Sequence, residues 1–70
     1  MNQSELILAA LDANGRDLTE KELVDSTQLT PAAVANGIRN LVAEGRLAKE
    51  FDGHSVRWRK SLYAPGDIAA

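Results

Sequence analysis

Residues 18–34 read LTEKELVDSTQLTPAAV, and this stretch decides the fold. It contains two helix starts in succession. Thr19 and Glu22 have the spacing of a capping box, in which a threonine hydroxyl and a glutamate carboxylate satisfy each other's backbone N–H groups. Leu18 and Leu23 flank that box at the two positions of a hydrophobic staple. Thr30-Pro31 then supplies a second N-cap followed by the residue best suited to a first helical turn, and Leu29 with Val34 repeats the staple. Between the two starts, Asp25-Ser26-Thr27-Gln28 continues a helix poorly. The first of these helices is therefore expected to be short, ending near Ser26.

Working outward, Val34, Ile38, Leu41 and Val42 recur at helical spacing and predict a buried stripe, closed by Gly45 after Ala43-Glu44. Upstream, Leu6, Ile7, Ala10 and Leu11 form a similar stripe after Ser4, a good N-cap, and stop at Asn14-Gly15. Gly37 lies inside the longest helix, where glycine costs up to about 1 kcal/mol against alanine. Its presence there points to a close approach by another helix or by a DNA backbone, packing being the simpler reason.

Downstream of Gly45 the period changes from helical to two. Leu47, Lys49 and Phe51 alternate with Ala48 and Glu50, Asp52-Gly53 marks a tight hairpin, and a second strand returns. On that strand Val56 and Trp58 share one face, and Arg57 and Arg59 share the other. An apolar underside covering the helices and a basic topside toward solvent follow. Trp58 and Phe51 are both expected in the core, because a chain this small needs its large aromatics there.

Two helices joined by a short turn, the second longer and well capped, make a helix-turn-helix, to which the first helix adds a third wall. With a short strand at Arg16 to Leu18 and a hairpin from Arg46 to Ser61, the chain resembles the winged helix-turn-helix superfamily, in particular small bacterial or phage transcriptional regulators. Thr19-Glu20-Lys21-Glu22-Leu23, Leu29-Thr30-Pro31 and Leu41-Val42-Ala43-Glu44-Gly45-Arg46-Leu47 carry that resemblance. The expected fold is mainly α with a small antiparallel β wing, an α+β winged domain over residues 1–62, with 63–70 as a flexible C-terminal tail.

The resemblance implies that the third helix enters the major groove of double-stranded DNA while the wing meets phosphates or the adjacent minor groove. Thr30, Ala32, Ala33, Asn36, Arg39 and Asn40 make up the DNA-facing set on that helix. Asn36 and Asn40 can pair bidentately with adenine edges, the alanine methyls can meet a thymine methyl, and Arg39 can take guanine or phosphate. On the wing, Lys49, His54, Arg57, Arg59 and Lys60 are the candidate phosphate contacts. The competing reading is that these are merely solubilising side chains on an exposed helix and strand. Winged helices that bind left-handed Z-form nucleic acid share the layout and the wing tryptophan. They present a lysine, an asparagine-arginine pair and a tyrosine along the helix, together with a proline-rich wing. Here Ala32, Gly37 and Asn40 surround Asn36, so that reading is set aside.

Charge is divided along the chain. Up to Pro31, Glu5, Asp12, Asp17, Glu20, Glu22 and Asp25 face only Arg16 and Lys21. Beyond it, Arg39, Arg46, Lys49, Arg57, Arg59 and Lys60 outnumber Glu44, Glu50, Asp52 and Asp67. The net charge of −2 runs against a nucleic-acid binder and motivates an alternative, a protein-interaction adaptor whose acidic surface meets a basic partner.

With 44% apolar and 26% charged residues the chain is expected to fold as one domain. It contains no cysteine, which removes disulfides, thiolate metal sites and a cysteine nucleophile, and the single His54 builds no metal cage. The acidic residues Asp17, Glu20, Glu22 and Asp25 cluster where the first turn of the second helix favours carboxylates, which explains them better than acid–base catalysis. No enzyme activity, cofactor, metal or small-molecule substrate is expected. Neither a signal peptide nor an apolar run of the roughly 20 residues needed to span a bilayer is visible, so a soluble cytoplasmic protein is expected. A homodimer or protein partner is expected alongside DNA, since one short reading helix gives little specificity. Leu62, Tyr63 and Ile68 are the apolar candidates for that contact.

Overall fold

The computed structural model of the chain describes residues 2–61. Its elements run α1 (Gln3–Asn14), α2 (Glu20–Thr27), α3 (Pro31–Ala43), β1 (Leu47–Phe51) and β2 (Val56–Lys60). Three helices and a two-stranded antiparallel sheet among the described residues give the α+β layout expected from the sequence, consistent with a winged helix. The tail expected over 63–70, and Leu62, Tyr63 and Ile68 with it, lie outside the described residues.

Local chemistry sets the helix ends. The capping box is present in both directions: Thr19 N–H donates to Glu22 Oε1 at 2.8 Å, and Glu22 N–H donates to Thr19 Oγ1 at 3.2 Å. Thr30 Oγ1 accepts from Ala33 N–H at 3.1 Å, with Pro31 opening α3. One expectation is corrected at α1, whose N-cap is Asn2 rather than Ser4. Asn2 Oδ1 accepts from Glu5 N–H at 2.9 Å, and asparagine caps as well as serine, so the helix starts earlier.

The second helix runs one residue past Ser26 and closes on Gln28 in the left-handed region, φ 63°. That conformation is unfavourable for a residue with a Cβ. Bonds around it compensate: Gln28 N–H reaches Val24 O at 2.9 Å, its side-chain amide donates to Asp25 O at 2.6 Å, and Thr27 Oγ1 both donates to Leu23 O and accepts from Leu29 N–H. The polar run that looked like a poor continuation thus forms the last turn of α2, with Gln28 as its C-cap, and fixes the turn into α3.

Ile7, Ala10, Leu11, Leu18, Leu23, Val34, Ile38, Leu41 and Leu47 form the buried core, with Leu8, Val24, Leu29 and Trp58 packed against it. Burying one such leucine fully contributes about 1.5–3 kcal/mol. Leu18 joins the sheet through a single antiparallel bridge, exchanging backbone bonds of 3.1 and 2.7 Å with Trp58. The bridge places β2 between Leu18 and β1, pins the wing to the helices and presses Trp58 inward. A Cβ on Gly37 would lie 2.5 Å from Ile7 Cδ1, so the glycine permits the close approach of α1 and α3.

Four apolar residues depart from the expected core, the first being Leu6 of α1, which is half-buried and outside the core cluster. Val42 is 44% exposed: at 3.6 residues per turn it sits about 80° from Val34 on one side, while the buried stripe extends to the other side, where Gly37 lies about 60° from Val34. Phe51 is 68% exposed and Val56 37% exposed, although both lie on the same sheet face as Leu47 and Trp58. The alternation is as expected. However, the hairpin outruns the helices, so only the strand ends near Leu47 and Trp58 reach the core.

Candidate nucleic-acid interface

The outward side of α3 follows from its inward one. With Val34, Gly37, Ile38 and Leu41 buried, Ala32, Asn36, Arg39 and Ala43 project from the opposite side and are exposed. Asn40 is exposed on the flank of that face and lines an open cleft with Asn2, Gln3 and Ser4 at the start of α1. Ala33 is only half-buried from solvent, turned toward the edge of the stripe, and Thr30 is exposed with its hydroxyl already engaged as the cap.

Asn36 and Arg39 are joined. Arg39 Nη1 donates to Asn36 Oδ1 at 3.0 Å, one turn apart, so the guanidinium is held over the helix rather than extended. An amide oxygen has two lone pairs, leaving Asn36 one acceptor site and both N–H donors free, enough to pair with an adenine edge. Arg39 keeps its remaining donors and has no carboxylate partner among the described residues. Asn36 and Asn40, four residues apart, remain neighbours on the exposed surface of α3, Asn36 bonded to Arg39 and Asn40 beside the start of α1.

The wing differs more from its expected character. Arg57 Nε donates to Asp52 Oδ2 at 2.8 Å, while its Nη1 lies 3.3 Å from Glu22 Oε1 and 3.4 Å from Asp17 O. It folds back toward α2 instead of reaching out from the tip. Arg59 Nε pairs with Glu50 Oε1 at 2.8 Å, and Lys60 Nζ with Asp12 Oδ1 at 2.9 Å. The basic topside is real as a row of residues but is neutralised in place. Among the described residues, Lys21, Arg39 and Lys49 are the cations without an acidic partner, and Lys49 is the one on the wing.

The two carboxylates that hold Arg57, those of Glu22 and Asp52, carry strongly shifted acidity. Glu22 is lowered to about 2, first by the Thr19 backbone N–H and then by Arg16, whose Nη2 lies 3.0 Å away. Asp52 is lowered to about 2 by the Ser55 N–H, then by Arg57 and the His54 N–H, and the Asp52 hydrogen bond in turn raises Arg57. The Asp52 carboxylate accepts from Ser55 N–H at 2.7 Å and His54 N–H at 2.9 Å, forming the turn of the hairpin. His54 is exposed at that turn, held by its backbone with its imidazole outside the network.

Sequence reasoning named the cations and missed the carboxylates that hold them: Asp12, Glu22, Glu50 and Asp52. Only Asp52 carried a local signal, since an aspartate before glycine in a hairpin is suited to accept the following backbone N–H groups. No family model matches the chain, and a search of curated proteins finds no match. Among the described residues, no group of acidic, histidine or cysteine side chains is placed to hold a metal ion, and no helix is long and apolar enough to cross a membrane.

Proposed function

We propose that this chain is a small DNA-binding transcriptional regulator of bacterial or phage type, acting in the cytoplasm, with α3 in the major groove and the wing on the phosphate backbone. The observation that carries this reading is the exposed face of α3. It offers a hydrogen-bonded Asn36–Arg39 pair that no carboxylate of the described residues engages, flanked by Ala32 and Ala43, which are small enough to let the helix approach base edges. Lys49 supplies a free cation on the wing. Arg59 and Lys60 supply exchangeable ones, because ion pairs this exposed hold little free energy against water and salt. One short reading helix gives limited specificity, so the reading includes a homodimer or a protein partner.

The test is fluorescence anisotropy of labelled duplex DNA at about 50 and 200 mM salt, where phosphate contacts show most clearly. Micromolar, salt-dependent binding is expected, with Asn36→Ala costing about 1–3 kcal/mol at one base position and little on random sequence. Equal loss on every sequence would remove Asn36 as a reader. A second reading, a winged-helix adaptor that captures a basic protein, is favoured by the pairing of Arg57, Arg59 and Lys60 with acidic side chains and by the net charge of −2. Absence of DNA binding even at low salt selects it.

A further inference from the structure

The wing tip combines three features. Phe51 and Val56 are cross-strand partners in register, which brings their Cβ atoms to about 4.5–5.5 Å, and both are exposed. Lys49 shares their face of the sheet, two residues along β1 from Phe51 or about 6.8 Å, and has no acidic partner among the described residues. The acid at the tip is consumed, because Asp52 binds two backbone N–H groups and Arg57, which also stiffens the turn. An acidic tip would be repelled by a polyanion; this one presents an apolar pair with a single free ammonium beside it. The only phenylalanine of the chain is thus withheld from a small core and displayed at the hairpin tip.

We propose that the wing tip adds an apolar wedge to the wing's phosphate contacts: Phe51, backed by Val56, presses into a base step from the minor groove while Lys49 takes the adjoining phosphate. The wedge rests on the DNA-binding reading above and specifies how the wing takes part in it. Its occupant is duplex DNA because the free cation beside the apolar pair calls for an anionic surface, and α3 offers base-reading groups in the same domain. Flexible pyrimidine–purine steps, above all TA, are the sites where such a side chain unstacks bases at least cost.

The test uses the full chain and a short duplex rich in TA steps that carries a fluorescent aminopurine at one of them. Wild-type binding is expected to brighten the aminopurine as the step unstacks. Phe51→Ala is expected to weaken binding at least about fivefold and abolish the brightening, with an unchanged salt slope because no charge is lost. Lys49→Gln is expected to reduce the slope by about 1 and keep the brightening in the saturated complex. Phe51 is exposed, so the variant keeps its fold, which circular dichroism verifies. Wild-type binding with an unaffected Phe51→Ala variant and a silent aminopurine overturns the wedge alone. No wild-type binding at low salt overturns the DNA reading and the wedge together. A wild-type dimer that Phe51→Ala converts to monomer in sedimentation, or Phe51-dependent binding to anionic vesicles without aminopurine brightening, assigns the patch to a second copy or to lipid and also overturns it.

Discussion

Replacing Gly37 with alanine sets two effects of opposite sign against each other. In a helix interior the substitution ordinarily stabilises by about 1 kcal/mol, through the backbone entropy glycine loses on folding. Here the new methyl would stand 2.5 Å from Ile7 Cδ1, where carbon atoms prefer about 3.5–4.0 Å, and Gln3 Cβ closes the other side at 3.5 Å. Ile7 has no exposed surface and little room to retreat. Overpacking of this kind costs about 1–3 kcal/mol, so Gly37→Ala is expected to destabilise by about 1 kcal/mol net and lower Tm by about 4–8 °C.

Ile7→Val removes the colliding methyl and on its own costs about 0.5–1.5 kcal/mol. In the double variant the alanine methyl fills the space the isoleucine methyl vacates and the helix-propensity gain is recovered, so its stability should return to within about 0.5 kcal/mol of wild type. The two single losses sum to about 2 kcal/mol, which makes the coupling about 2 kcal/mol in the stabilising direction. Urea unfolding followed by Trp58 fluorescence, with constant m, measures all four corners of the cycle. A Gly37→Ala variant as stable as wild type, or single effects that add within about 0.5 kcal/mol, would refute the close packing of α1 on α3.

Two further outcomes are expected. Glu22 and Asp52 titrate lower in the folded chain than in the unfolded one, where carboxylates sit near 4, so their contribution is complete above that value and is lost as pH falls toward about 2. The urea midpoint should therefore be flat from about pH 7 to about pH 5 and fall between about pH 4 and pH 2, less steeply in the Glu22→Gln, Asp52→Asn double variant; equal slopes for the two proteins would show that these carboxylates are not the cause. Thr19→Ala removes the acceptor for the Glu22 N–H and should cost about 1 kcal/mol by chemical denaturation while leaving DNA affinity unchanged, with Thr19→Ser close to wild type.

The parts of this fold that were legible in the sequence are those set by neighbours three or four residues apart. Thr19 with Glu22, Thr30 with Pro31 and Asn14 before Gly15 declare helix ends because capping is local, and the two staples place Leu18 and Leu29 for the same reason. The period-two run from Leu47 gave the correct faces of the hairpin but not how far the core extends beneath it. Where the helices stop is a property of the whole packing, so Phe51 and Val56 kept the right face and lost their burial. Val42 was misplaced by a similar blindness: a glycine does not register as part of an apolar stripe, yet Gly37 is buried in it. Of the candidate interface, the outward position of Asn36 and Arg39 was legible. The ion pairs were not, since Lys60 and Asp12 are 48 residues apart and Arg57 and Glu22 are 35 apart.

Those long-range pairs change what net charge means for this protein. A phosphate does not meet the sum of the charges; it meets each cation in competition with the partner that already holds it. Lys49 and Arg39 have no carboxylate among the described residues to give up and respond to a polyanion directly. Arg59 and Lys60 each exchange one exposed carboxylate for a phosphate, a trade between similar partners in water. Arg57 has most to lose: two carboxylates and a backbone carbonyl surround it, and at 34% its side chain is less exposed than that of Arg59 or Lys60. On the proposed DNA reading, Arg57 therefore fastens the wing to α2 and contributes least to the salt slope, although it stands at the centre of the basic strand. Alternation along β2 put Arg57 and Arg59 on one face as apparent equals, and it is the acidic residues of α2 and the hairpin turn that divide them into a structural arginine and an exchangeable one.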